Sequence, residues 1–279
     1  MRAFTKWVAG RVMHLVEALI GCEVEWYGAR TFAMIDKHHR LSASFSYRAQ
    51  IRSAIERSGI DLVIDAGANE GQFARRLRSF YSGEILSFEP VTFAFDKLAK
   101  AASADPDWHV YKLALGSEDS TQTINVSDRT LFSSLLNVND YCVQRFGESV
   151  KGERKELIRI RRLDQLLEEI VPDIGNRRVF LKMDTQGYDL EVFKGLGDCL
   201  ARVIGLQSEV SLISIYEGMP HWTDSISLYE QAGFGVVGMF PVNRDSGRVI
   251  EYDCLLERVA ASPGVWTVSH TPGAQVQAP

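Results

Sequence analysis

Residues 61–73 read DLVIDAGANEGQF: a short apolar run ends in an acid, Asp65, and passes at once through a glycine-flanked turn into a helical pattern. This junction constrains the fold more than any other stretch. A buried strand that feeds a helix through a tight turn builds parallel sheets, and these need helices on both faces. The unit recurs. "EILSFEP" leads to the helical "FAFDKLAKAA", "WHVYKLAL" reads as a third strand, and "RRVFLKMD" leads to "YDLEVFKGL". "RVIGLQSEV", ending near Glu209, leads to "TDSISLYEQAG", closed by Gly233, and "FGVVGMF" and "EYDCLLERV" complete the sheet. Two further helices are expected at Ile51–Ser58, stopped by Gly59, and over "EGQFARRLRSFY", ending before Gly83. In the middle, "TQTINVS" and "ELIRIRR" alternate like exposed antiparallel strands. Residues 128–155, polar and rich in Ser and Asn, read as a long loop or lid before the helix "LDQLLEEIV".

The expected organisation is an N-terminal helical extension (1–50), one α/β domain (51–260) and a disordered tail (261–279) containing "SPG" and "TPG". Val8, Val12, Leu15, Val16, Leu19 and Ile20 recur at helical spacing, which suits either packing on the domain or contact with a membrane surface. Arg11, His14 and Glu17 interrupt any signal-peptide core, and no apolar run spans a bilayer, so cytoplasmic is the default location. A net charge of −5, with "RIRR" at 159–162 as the main basic cluster, argues against nucleic acid. The four cysteines are far apart, without zinc-finger spacing, and read as free thiols. "DKHHR" at 36–40 reads as a solvated turn.

Ligands of open α/β sheets sit outside the carboxyl ends of the strands. There, Asp65 offers an acceptor for an ammonium. Gly67 allows a sharp turn, and the helix start offers N–H groups to a carboxylate. One ligand class with both charges is an amino-acid moiety. A dinucleotide fingerprint would need glycines where Asn69 and Gln72 stand, and a P-loop would need a Gly-Lys pair. Glu89 ends the second strand, where an acid hydrogen-bonds ribose hydroxyls. A nucleoside that also carries an amino acid is S-adenosylmethionine.

"VIDAGANEGQF", "SFEP", "LALGS", "RRLDQL" and "FLKMDTQGYDLEVFKG" occur in an order that resembles FkbM-type S-adenosylmethionine-dependent methyltransferases over about residues 60–258. The resemblance implies a class I methyltransferase (Rossmann-like) fold: a seven-stranded, mostly parallel sheet with helices on both faces and one antiparallel strand near an edge. It also implies O-methylation. Carried over, Asp65, Gly67, Asn69 and Gly71 line the methionine side of the cofactor, Glu89 holds the ribose, and Ala114 and Leu115 lie near the adenine. The family often shows K-x-D-x-E-G-x-E; this chain has Lys182, Asp184, Gln186, Gly187 and Asp189, so two acidic roles do not carry over.

Methyl transfer to a hydroxyl needs an in-line acceptor and a base. The candidates are Asp184, Glu209 and His221, with Lys182 as an alternative internal partner for Glu209. Asp184 and Glu209 could instead share Mg²⁺ as an additional cofactor. Aromatic residues near the mouth (Phe132, Tyr188, Tyr216 and Trp222) and Ser133 and Ser134 suit a small-molecule acceptor, a sugar or glycolipid. Rival readings are a non-catalytic S-adenosylmethionine-binding scaffold and a nicotinamide-dependent dehydrogenase.

Overall fold

The computed structural model describes residues 47–152 and 154–259. The amphipathic N-terminal segment, "DKHHR" and the tail from Ser262 lie outside the described residues.

Helix α1 (Tyr47–Ser58) buries Ile51, Ala54 and Ile55, at the spacing that places side chains on one face. It stops at Gly59, whose φ of 57° is the left-handed conformation that ends many helices. The chain then alternates β1 (Leu62–Ala66), α2 (Gln72–Leu77), β2 (Glu84–Phe88), α3 (Thr92–Ala102) and β3 (Trp108–Tyr111). After an excursion it returns through α5 (Leu163–Ile170) to β7 (Val179–Met183), α6 (Asp189–Lys194), β8 (Val203–Ser211), α7 (Trp222–Gln231), β9 (Phe234–Asp245) and β10 (Arg248–Arg258). The main sheet has seven strands in the order β3-β2-β1-β7-β8-β10-β9. Pairings among β3, β2, β1, β7 and β8 are parallel, and β10 is antiparallel to both neighbours. This is the class I methyltransferase arrangement, with its antiparallel strand next to the edge as expected.

All five residues of β1 and of β7 are buried, because helices cover both faces. On one face, Val63, Ile85, Phe180 and Leu255 pack with α1, α2 and α3. On the other, Ile64, Leu86, Leu181 and Leu256 pack with α5 (Leu163–Ile170), α6 and α7. Phe180 is fully buried, so Phe180→Ala would cost about 3–5 kcal/mol.

Three elements differ from the sequence expectation, two of them in the excursion. "WHVYKLAL" is two strands: β3 in the main sheet and β4 (Ala114–Gly116) in a second sheet. That three-stranded sheet, β4-β6-β5, joins β4 to β5 (Ser120–Val126) and β6 (Arg154–Arg162), the last two antiparallel as their alternation predicts. Residues 128–155 are not a bare loop. They contain a 3₁₀ turn at Thr130–Phe132 and α4 (Asp140–Phe146), pinned by Asn139, whose side chain accepts the Cys142 N–H at 2.9 Å. The helix after Gly71 is also shorter than the pattern suggests, at six residues.

Register positions the site. Ser87, Asp65, Lys182 and Gln207 are successive partners across β2, β1, β7 and β8, so their side chains share a face. One step beyond, at the carboxyl ends, lie Glu89, Gly67, Asp184 and Glu209, and Glu209 pairs with Asp253 of β10. Carboxylates from β7, β8 and β10, with Glu89 just past β2, therefore gather at this end of the sheet.

Candidate functional site

Two adjoining clefts open at this end of the sheet and share Gly67, Asn69, Leu131 and Asp184. The narrower is lined by Glu89, Ala114, Leu115 and Tyr188, the wider by Lys182, Gln207, Asp253, Tyr47, Arg75 and Arg76. The wider has a volume of about 550 Å³.

The glycine turn differs from its sequence reading. Asp65 is fully buried, and Lys182 Nζ lies 2.9 Å from its carboxylate, with Ser87 Oγ donating to it at 3.4 Å. Lys182 also donates to the Gly67 carbonyl at 2.8 Å. Burial pulls the Lys182 pKa down, but the charges of Asp65 and Asp184 outweigh this and hold it above the usual lysine range. Asp65 therefore pairs with an internal ammonium and lines neither cleft. Lys182 is not the partner of Glu209.

The turn amides are occupied as well. Gly67 and Ala68 donate to the Phe88 carbonyl, Asn69 to Glu89 Oε2, Glu70 to Gln72 Oε1 and Gly71 to the Ala68 carbonyl. Gly67 has φ 72°, and a Cβ there would collide with the Asp184 carbonyl. Its glycine is required by the approach of two strand tips. Gly71 has φ 80°, and a Cβ would press on the Trp108 ring and Leu98. It lines neither cleft, so the structure gives it a packing role in place of a methionine contact.

Glu89 stands where a ribose-binding acid belongs. One oxygen accepts Asn69 N–H at 2.9 Å, the other Val91 N–H at 2.8 Å, and each keeps acceptor capacity for a hydroxyl. Burial raises its pKa to about 7, against the two backbone hydrogen bonds. Asn69, at φ 48°, reaches both clefts; its Nδ2 lies 3.4 Å from Thr130 Oγ1, and its buried Oδ1 has no donor. Ala114 and Leu115 flank the narrow cleft beside Val91, Ile124 and Ile158, an apolar slot suited to a nucleobase. An acid with two available oxygens, an orphaned acceptor and an apolar slot fit an adenosine-type cofactor.

Asp184 is half-buried and lines both clefts. Gln186 Nε2 donates to Asp184 Oδ1 at 3.0 Å and to Glu209 Oε2 at 2.8 Å. Tyr216 donates to Gln186 Oε1 at 2.6 Å, and Ser134 to the Gln186 carbonyl at 2.7 Å. An amide thus stands between the carboxylates that a shared Mg²⁺ would have to bridge, and it turns N–H donors toward both. No group of three or more His, Cys, Asp or Glu suited to a metal occurs among the described residues. The donor set does not fit Mg²⁺. Burial and the neighbouring Glu251, Asp184, Asp253 and Asp189 carboxylates push Glu209 well above the carboxylate range. It lines neither cleft and serves as an acceptor for Gln186.

His221 is not part of this constellation. It is exposed, caps α7, and its Nδ1 contacts Thr223 Oγ1 at 2.6 Å and accepts Thr223 N–H at 3.4 Å. It lines neither cleft, which removes the geometric basis for a base role. Trp222 and Phe132 pack into cores, Phe132 against Phe146 at 4.9 Å between ring centres, and Ser133 lines the narrow cleft. Tyr47, Arg76, Gln207 and Asp253 were missed by sequence reasoning. An acid or amide inside an apolar strand, at Gln207 in "VIGLQSEV" and Asp253 in "EYDCLLERV", was the available signal.

The sequence matches the model of the methyltransferase FkbM domain over residues 65–235. Methyltransferase sdnD of Sordaria araneosa is 30% identical over 156 residues, which cover 49% of this chain and 60% of that protein. Among solved structures, magnesium protoporphyrin IX methyltransferase from Synechocystis with bound cofactor is similar at 9% identity and a TM-score of 0.40, covering 84% of this chain and 88% of that one. Precorrin-6y C5,15-methyltransferase from Geobacter metallireducens is similar at 11% identity and 0.42, covering 84% and 95%. The family match runs from Asp65 at the first strand tip to Gly235 at the start of the last hairpin, more than half of the chain, and the protein belongs to the FkbM methyltransferase family.

Proposed function

We propose that the protein is an S-adenosylmethionine-dependent O-methyltransferase whose acceptor is a hydroxyl of a sugar, glycolipid or related small molecule. The observation that carries this reading is the pair of joined clefts, with Glu89 in one and Asp184 shared by both. When bound, the cofactor supplies a methyl group already activated on a sulfonium. Glu89 receives the ribose hydroxyls, and Ala114 and Leu115 hold the base. Asp184, anchored by Gln186, orients an acceptor hydroxyl and takes its proton. Such proton transfer contributes on the order of 10²–10⁴-fold. The half-buried Tyr188 offers a ring face at the mouth, which suits a saccharide.

The departures that motivated a non-catalytic scaffold have structural explanations. Asp189 is buried and accepts from Thr185 and Ser208, and Gln186 joins the strand tips. The decisive assay is transfer of a labelled methyl group to lipid and saccharide extracts, repeated with a chelator. Labelling of a hydroxylated product by the wild type, undiminished by chelation and lost in Asp184→Ala, supports the reading. Cofactor binding with no transfer to either extract sinks it.

A further inference from the structure

The amino-acid end of the cofactor is a zwitterion, and the groups that the sequence motif assigns to it are occupied. Asp65 faces Lys182 at 2.9 Å, and five successive amides, Gly67 to Gly71, donate within the protein. The six-residue helix behind them is too short to act as an anion site through its dipole. Both charges must find partners elsewhere.

The wide cleft supplies them. Asp253 reaches it from β10 and Asp184 from the end of β7, with the orphaned Oδ1 of Asn69 on the shared wall. Gln207 Nε2 holds Asp253 Oδ1 at 3.0 Å, and the Tyr47 hydroxyl holds Gln207 Oε1 at 2.8 Å. Asp253 Oδ2 accepts no hydrogen bond among the described residues. Gln207 is 2% exposed, so this string of polar groups runs through the packed interior to fix one carboxylate at the cleft. Arg76 lines the same cleft; its side chain is exposed, and its Nε donates to the Gln72 carbonyl at 3.3 Å. No acid pairs with it among the described residues, and its charge is felt at both Tyr47 and Asp253. The cleft therefore presents Asp253 with an unbonded carboxylate oxygen and Arg76 without an acid partner among the described residues, while the Lys182 ammonium beside them is paired with Asp65 and Asp184.

We infer that Asp253 holds the ammonium of the cofactor and Arg76 its carboxylate, in place of Asp65 and the turn amides. This rests on the cofactor reading above. The acidic duty of the motif moves from the first strand to the antiparallel strand beside the edge, and the Lys182 ion pair becomes part of the scaffold.

Calorimetry with S-adenosylhomocysteine and 5′-methylthioadenosine tests it, because the second ligand keeps the nucleoside and lacks the zwitterion. The wild type is expected to bind both, the first more tightly. Arg76→Ala and Asp253→Asn are each expected to weaken S-adenosylhomocysteine by about tenfold to hundredfold and to leave methylthioadenosine within about twofold, as befits loss of a charged hydrogen bond. A third readout is pH. Asp253 is faced by Asp184 and Lys182 from β7, Glu209 from β8, Arg76 from α2 and Tyr47 from α1. Burial and then the Asp184 charge raise its pKa to about 7. The affinity ratio of the two ligands should rise between pH 6 and 8 in the wild type and stay flat in Asp253→Asn. Glu89 also titrates near 7 but faces the nucleoside common to both ligands. An unchanged ratio in both variants, or equal losses for both ligands, overturns the inference. Failure of the wild type to bind either ligand overturns the cofactor reading itself.

Discussion

Replacing Lys182 by methionine tests the ion pair at the centre of the sheet. The Nζ to carboxylate distance is 2.9 Å, and both side chains are essentially inaccessible, at 5% and 0%. At an effective dielectric constant of about 20, opposite charges this close attract by roughly 6 kcal/mol. Desolvation of the two ions offsets several kcal/mol each, so the pair as a whole is worth little net. The single variant is another matter. Lys182→Met leaves Asp65 buried, with the Ser87 hydroxyl at 3.4 Å as its remaining neighbour, and removes the 2.8 Å bond to the Gly67 carbonyl. The expected cost is about 3–5 kcal/mol, a large share of a typical stability of about 5–15 kcal/mol. Asp65→Asn/Lys182→Met no longer buries a charge and should be more stable than Lys182→Met alone. Urea unfolding of the wild type, both single variants and the double variant, followed through Trp108, gives the coupling directly. Additive single effects, or a Lys182→Met cost under about 1 kcal/mol, would refute the pairing.

Gly67→Ala should destabilise the fold by about 1–3 kcal/mol through its positive φ, with a further penalty from collision with the Asp184 carbonyl, and thermal melts check this. His221→Ala should leave methyl transfer unchanged and cost about 0.5–2 kcal/mol as a lost N-cap; a slowed transfer step in a folded variant would restore the base assignment. Gln186→Glu sets a third carboxylate beside Asp184 and Glu209 and should lower the melting temperature at pH 8 more than at pH 5. Asp253 and Glu89 both have folded pKa values raised to about 7, so the native state holds protons that the unfolded chain has released. Stability should therefore fall as pH rises from about 4 to about 7 and level off above; Asp253→Asn should flatten part of that slope in urea titrations at several pH values.

The parallel strands were legible because full burial on both faces leaves continuous apolar runs, as in LVIDA and VFLKM, and each ends at a turn. The place of Glu89 at the cleft was legible for the same reason, since it closes such a run at the carboxyl end. The split of "WHVYKLAL" was not, since Lys112 and Leu113 continue the alternation while the chain crosses between sheets. Asp65 was misread because a strand-tip acid looks alike whether it faces a ligand or a lysine that is on the neighbouring strand but far along the chain. Only the register that sets Asp65 against Lys182 separates the cases. Asp253 and Arg76 come from opposite ends of the domain's sequence, and no local pattern announces that they line one cleft.

Leu131 is 60% exposed and borders both clefts, on a 3₁₀ turn whose neighbour Thr130 touches the Asn69 amide. One aliphatic side chain thus serves as a party wall between two rooms. Trimming that single leucine would join the two into one space.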